Sequence, residues 1–208
     1  MAKLAGMFYS FSVWVMKLAF LNILWIGFVC FGFVIFGLFP ATAATFSICR
    51  SWALKDYDIS IFNQFYSVYK KEFVKSNKTG LILVIVGLIL YFDIRILQET
   101  NISFLKPFVL FFYAAGCLFL LSIPYVFPVL IHYETNAFKI IKSSLLLMLV
   151  HPLYTITIIA SIFCISFILM LFPGVIPFLG VSILSFVIMW ISHLVFTKNE
   201  AKQLKADT

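Results

Sequence analysis

The sequence predicts an all-α fold: a polytopic transmembrane helical bundle of about five spans, with amphipathic helices in the loop after span one. Three observations lead there. Of the 208 residues, 63 % are hydrophobic and 11 % charged, against about 45–50 % and 25 % in soluble domains. A 23.8 kDa chain with a mean hydropathy of +1.11 cannot enclose that much apolar surface and keep a wettable exterior, so a soluble globule is excluded. The apolar residues also run in uninterrupted stretches long enough to cross about 30 Å of hydrocarbon at about 1.5 Å per residue. Finally, the 15 Lys and Arg against 8 Asp and Glu, a net charge of +7, gather between those stretches. In a membrane chain this reads as basic loops beside anionic lipid, not as a nucleic-acid surface.

The stretches are 18–39, 80–97, 107–131, 144–172 and 175–196, in a single membrane domain with a polar tail over 197–208. The first precedes small residues at Ala41 to Ala43, as a signal peptide does, but it is longer than the roughly 7–15 residues of a cleaved apolar core. It reads as an uncleaved span. Asp93 and Arg95 interrupt the far end of the second, and Pro124, Pro128 and Pro152 predict kinks in the third and fourth.

Alternation of five spans places Arg50, Lys55, Lys70, Lys71, Lys75, Lys78, Lys139, Lys142, Lys198, Lys202 and Lys205 on one side, and Lys3, Lys17 and Lys106 on the other. The positive-inside rule then predicts an outside N-terminus and a cytoplasmic C-terminus.

Residues 40–79 form the one long cytoplasmic segment, and helical spacing organises it. Pro40 suits the first turn of a helix whose Ala41, Ala44, Ile48 and Trp52 share a face. Asp56, Asp58 and Ser60 break that helix and offer a new N-cap. A second helix carries Ile61, Phe62, Phe65, Val68, Tyr69 and Phe73 along one side and Lys70, Lys71 and Lys75 elsewhere. Two readings of this basic, aromatic helix stay open: it lies in the inner headgroup region, or it docks a partner protein.

Ionisable groups at membrane depth are functional candidates because hydrocarbon penalises them. Lys17, opening span one, and Asp93, near the end of span two, are expected at similar depth, as an ion pair or as two separately snorkelling groups. Arg95 has Glu99 four residues on. His132 and His193 read as interfacial span ends, and His151 as a donor to the carbonyl that Pro152 frees. No His has a carboxylate or thiol at ligand spacing, so no metal or cofactor is expected, and Cys30, Cys49, Cys117 and Cys164 are too scattered for a redox pair or zinc knuckle. Gly27, Gly32 and Gly37 recur every five residues, not every four as in GxxxG. Sequons occur at Asn77-Lys78-Thr79 and Asn101-Ile102-Ser103. There is no GxSxG, HExxH or P-loop, which argues against an enzyme, and no ATPase module.

The run Gly37-Leu38-Phe39-Pro40-Ala41-Thr42-Ala43-Ala44, followed by Arg50-Ser51-Trp52, resembles the YesL family of small bacterial membrane proteins. The resemblance continues through Phe65, Tyr69-Lys70-Lys71-Glu72-Phe73 and Ser76-Asn77 to Leu90-Tyr91-Phe92-Asp93, and beyond that is one of hydropathy alone. It implies a multi-pass protein of a bacterial plasma membrane, often encoded near carbohydrate ABC-importer subunits and glycan-degrading enzymes. Phe39-Pro40-Ala41-Thr42 would be the corner after span one, with Pro40 setting the bend and Thr42 satisfying freed carbonyls. The expectation is a non-enzymatic accessory or scaffolding protein docking to ABC-importer permease subunits. The alternative is an independent transporter or channel, a homo-oligomer with a polar path lined by Lys17, Asp93, Asn22 or His151.

Overall fold

The structure, a computed structural model, describes the backbone of residues 2–99 and 106–206 and the side chains of 6–99 and 108–199. The sequon at 101–103 lies outside the described residues, as do the side chains of Lys3, Lys106, Lys202 and Lys205. The described residues form α1 (Ala2–Phe31), α2 (Ile35–Ala53), α3 (Ile61–Glu99), α4 (Lys106–His132), α5 (Ala137–Val150), α6 (Pro152–Leu171) and α7 (Ile176–Ala206), with a 3₁₀ turn at Pro173–Val175 before α7. Among the described residues, five helical segments are long and apolar enough to cross a membrane: Gly6–Phe31, Ile61–Glu99, Phe108–His132, Pro152–Leu171 and Pro173–Asn199. The chain is a polytopic helical membrane protein.

Three boundaries differ from those expected. The first apolar helix ends at Phe31, so the stretch 18–39 runs through a corner and into α2. Hydropathy cannot see this corner because Gly32 to Ile35 are as apolar as their neighbours. The fourth stretch is divided at His151 between α5 and α6, since Pro152 cannot continue the ladder of the preceding helix. The amphipathic helix beginning at Ile61 and the second span are one continuous helix of 39 residues, α3.

The corner after α1 is compact and bent against its own preferences. Phe33 has φ 53° and closes α1 with paired bonds, its N–H to the Cys30 carbonyl and that of Val34 to the Val29 carbonyl. Val34, at φ 64° and ψ −62°, then centres a γ-turn closed by the Ile35 N–H on the Phe33 carbonyl at 2.7 Å. A β-branched residue at positive φ stores strain. It is tolerated because the two helices meet backbone to backbone: a Cβ on Gly32 would stand 2.3 Å from the Gly37 Cα, and one on Gly37 2.6 Å from the Val29 carbonyl oxygen. The glycine spacing of five is therefore the signature of a helical hairpin, not of a crossing between straight helices.

From this corner α2 returns antiparallel along α1, with Trp25 beside Thr42 and Trp14 beside Trp52. It is a central helix of the molecule, packed against α1, α3, α4 and α7. The expected face of Ala41, Ala44, Ile48 and Trp52 is buried, and so are Ala43, Phe46 and Cys49 on its other sides. Its end is capped with Lys55 at φ 67°, whose N–H bonds to the Trp52 carbonyl while that of Asp56 bonds to Ser51. After the break at 54–60, Ser60 precedes α3 and its carbonyl accepts the Gln64 N–H, as expected of a helix start there.

α1 also packs antiparallel to α7: Asn22 lies against Pro177 to Ser182 and Trp14 against Phe186. α3 and α4 are antiparallel as well, with Gln98 bonded to Tyr113 at one end and Lys75 to the Leu130 carbonyl at the other.

Candidate functional site

Most of the residues that the resemblance singles out gather around the α1–α2 corner and the first half of α3, while Leu90 to Asp93 lie near its far end. Pro40 stands in the interior of α2, not in its first turn, because the helix already begins at Ile35. Its ring leaves the Phe36 carbonyl without the donor four residues on. That carbonyl accepts a hydrogen bond from Asn77 Nδ2 on α3 at 3.0 Å, and the same amide donates to its own Phe73 carbonyl at 2.9 Å. Thr42, expected to satisfy the freed carbonyl, instead accepts from the Trp25 indole at 3.1 Å and donates to the Leu38 carbonyl at 2.7 Å. It thereby ties α1 to α2. Phe39 lies flat on α3: a Cβ on Gly80 would come within 2.4 Å of its ring.

The aromatic row of α3 faces inward. Phe65 and Tyr69 are buried against Phe28, at ring-centroid distances of 5.1 and 4.9 Å, and the Tyr69 hydroxyl donates to the Phe28 carbonyl at 3.4 Å. Phe73 packs edge-on against Tyr69, whereas Phe62 is exposed. The expectation that this row is presented to a membrane surface or a partner is thus corrected: α1 and α2 already occupy it. Gln64, outside the apolar spacing of α3, reaches Ser51 Oγ at 2.9 Å and Ser47 Oγ at 3.2 Å. The small polar residues of α2 at steps of four were its only signal.

The lysines of α3 divide into two kinds. Lys71 pairs with Glu134 at 3.1 Å, and Lys75 reaches Glu72 at 3.5 Å and the Leu130 carbonyl at 3.4 Å. The Lys71 ammonium holds the Glu134 carboxyl below its ordinary pKa, by hydrogen bond first and charge second. Lys70 and Lys78 are exposed and make no such contact among the described residues.

On α2, Trp52 is buried between Trp14 and Phe186. Its indole nitrogen and the Arg50 Nε are buried without a hydrogen-bond partner among the described residues. Burial also pushes the Cys49 thiol far above its ordinary pKa, so it stays a protonated packing group.

Lys17 and Asp93 do not pair. Lys17 Nζ donates to the Tyr57 carbonyl at 3.0 Å, just before α3 begins. Asp93 lies 32 residues into that helix, about 48 Å away along its axis. The ion pair had assumed two adjacent spans joined by a peripheral loop. The intervening residues instead form α2 and the leading half of α3, which set the two charges at opposite ends of one rod. Arg95 places its Nε 3.3 Å from the Tyr91 hydroxyl.

The remaining polar groups at depth act as local clamps. Asn22, 2 % exposed, inserts its amide beside the first turns of α7: Nδ2 donates to the Pro177 carbonyl at 2.7 Å, and Oδ1 accepts the N–H groups of Val181 and Ser182 at 2.9 and 3.1 Å. His151 Nε2 bonds Asn199 Oδ1 at 2.7 Å. The carbonyl that Pro152 frees belongs to Met148, and Thr155 Oγ1, not His151, donates to it at 3.3 Å. The Tyr125 hydroxyl meets the same Thr155 at 3.0 Å. Among the described residues no group of three His, Cys, Asp or Glu could hold a metal ion.

The family described as a protein of unknown function, DUF624, matches residues 18–94, the α1–α2 corner and most of α3. Three proteins of Bacillus subtilis (strain 168) are similar over nearly the whole chain. The uncharacterized protein YteU is 34 % identical over 94 % of this chain and 87 % of its own. YesL is 33 % identical over 94 % and 92 %, and YesV 35 % identical over 92 % of each. The chain belongs to this YesL-like DUF624 family. No solved structure matches it.

Proposed function

We propose that the protein is a non-enzymatic accessory or scaffolding membrane subunit that docks to the permease subunits of a bacterial carbohydrate ABC importer. The observation that carries this reading is the way its deep polar groups are used. Asn22 is spent on the start of α7, His151 on Asn199, Thr155 on Met148 and Tyr125, and Lys17 on the Tyr57 carbonyl. A transporter needs polar groups aligned along one route through the bilayer. Here Asn22, His151, Thr155 and Lys17 are tied off at separate places between helices, as internal fastenings. The outward face of α6 is apolar, with Leu153, Ile156, Phe163 and Phe167 exposed. The assignment to carbohydrate uptake rests on the company that YesL-like proteins keep.

The same reading places the chain in the plasma membrane with its basic C-terminal end on the cytoplasmic side. The antiparallel packing of α1 and α7 supports an N-terminus on that side too, in place of the outside N-terminus expected from five alternating spans. The reversal at the α1–α2 corner is an extra change of direction that hydropathy does not count.

The test is affinity purification from the native host in mild detergent or nanodiscs, with mass spectrometry of co-eluting proteins. It is repeated with Ile156→Glu and Phe163→Glu, which alter an outward face and spare the core. Permease subunits that co-elute with the native chain and are lost with the variants are the expected result. A defined homo-oligomer that moves solute in liposomes would overturn the reading.

A further inference from the structure

Independently of that function, we propose that the groove between the α1–α2 corner and the middle of α3 is a binding site for an anionic phospholipid. The groove encloses about 430 Å³, with Ile35, Phe36 and Phe39 on one wall and Val74, Leu81 and Val84 on the other. It lies where α3 changes solvent. Lys70, Lys71, Glu72, Lys75 and Lys78 precede that point, and no charged residue follows from Thr79 to Phe92. A site on such a boundary suits a molecule that is itself divided, with acyl chains for the apolar walls and a headgroup for the charged turn.

Charge selects the kind of lipid. Lys71 and Lys75 are neutralised by Glu134 and Glu72. Lys70 and Lys78 share a face of α3 with Val74, one turn before and one turn after this groove residue, and Lys78 itself lines the groove. Two uncompensated ammonium groups beside an apolar slot complement a phosphate that carries a net negative charge, and not a zwitterionic headgroup. The corner supplies a matching lipid-facing tip: Phe31 and Phe33 are 81 % and 86 % exposed, and Ile35 and Phe36 are exposed beside them. Such a tip needs an apolar neighbour, which acyl chains supply.

Native mass spectrometry of the full chain with equimolar phosphatidylglycerol and phosphatidylcholine tests the site. The expected result is a preference for phosphatidylglycerol of about tenfold or more, the order given by two lysines at an anionic surface. It should fall to near parity in the Lys70→Gln, Lys78→Gln double variant, whose exposed positions leave the fold intact, and survive in Lys139→Gln, Lys142→Gln. Equal retention of the two lipids by the native chain overturns the proposal. So does loss of the preference in the second pair alone, which would move the lipid to the groove between α3, α4 and α5 that Lys142 lines. In native membranes, a photo-crosslinker at Val74 should capture phospholipid; capture of a polypeptide, this chain or another, would assign the groove to a protein partner.

Discussion

Asn77 on α3 completes the backbone that Pro40 breaks on α2, its side-chain amide donating to the Phe36 carbonyl in place of the missing N–H. Two positions 37 residues apart in the chain, both within the stretch 18–94 that the family matches, are thereby one structural unit. Removing the donor alone leaves a carbonyl without its partner, so Asn77→Ala should cost about 1–3 kcal/mol of stability. In a Pro40→Ala background, residue 40 regains its own N–H and the same substitution should cost much less. Thermal or denaturant unfolding of the four proteins in detergent gives the coupling, and equal losses in both backgrounds would separate the two residues.

The corner between α1 and α2 makes opposite demands at neighbouring positions. Gly37→Ala forces a Cβ against the carbonyls of Phe28 and Val29 and should cost about 3 kcal/mol or more, or prevent folding, because backbone cannot give way. Gly27→Ala, with nothing within 4 Å, should be neutral or stabilising by up to about 1 kcal/mol. Val34→Gly should raise stability by about 1 kcal/mol by relieving the positive φ. A fall in melting temperature for Val34→Gly would show that the side chain, not the backbone, decides that position.

Asn22 serves three backbone groups of α7 with one amide. Asn22→Asp keeps the acceptor but sets a carboxylate oxygen against the Pro177 carbonyl, so it should be worse than Asn22→Ala, itself costing about 1–3 kcal/mol. The order of the two melting temperatures checks this.

The Lys71–Glu134 contact sets a pH dependence whose sign follows from the lowered Glu134 pKa. A carboxyl depressed in the folded protein contributes stability above its ordinary pKa, and loses it as the pH falls through the depressed value. The stability difference between the native chain and Glu134→Gln should therefore be present at neutral pH and disappear in acid below the usual carboxylate range. Both side chains are largely exposed, so the difference should be small and should shrink in high salt.

Cysteines introduced singly beside Gly6 and Asn199 should react with an impermeant maleimide from the same side of the membrane, since α1 and α7 are antiparallel and bring those ends together. Labelling from opposite sides would restore the five-span alternation.

The spans were legible because hydrophobic length is a one-dimensional property: stretches 107–131 and 175–196 agree with Phe108–His132 and Pro173–Asn199 to within three residues at each end. The buried faces of α2 and α3 were legible through their spacing, Ala41 to Trp52 and Phe65 to Tyr69. What covers those faces was not. Periodicity says that Phe65 and Tyr69 share a side, yet the same pattern serves a lipid, a partner or α1, and only tertiary contacts choose. The corner at 32–34 was hidden by its composition, since Phe33 and Val34 carry no turn chemistry and adopt positive φ only because Gly32 and Gly37 allow the helices to touch. The Lys17–Asp93 pairing failed for a related reason. Depth was inferred from span order, and an uncounted helix, α2, changed the order.

The continuity of α3 gives the protein a mechanical part. Its 39 residues make a rod about 58 Å long, gripped from Phe65 to Gly80 by α1 and α2 and tied to α4 through Gln98 and Tyr113 near its far tip. A load on one arm cannot be absorbed by a flexible joint, because the described residues contain no break between the charged half and the apolar half. Pivoting by about 10° at the grip would sweep the distant tip through several ångströms. A displacement too small to notice at Lys70, beside the grip, would thus be magnified at Asp93 and Arg95, far out along the same rod.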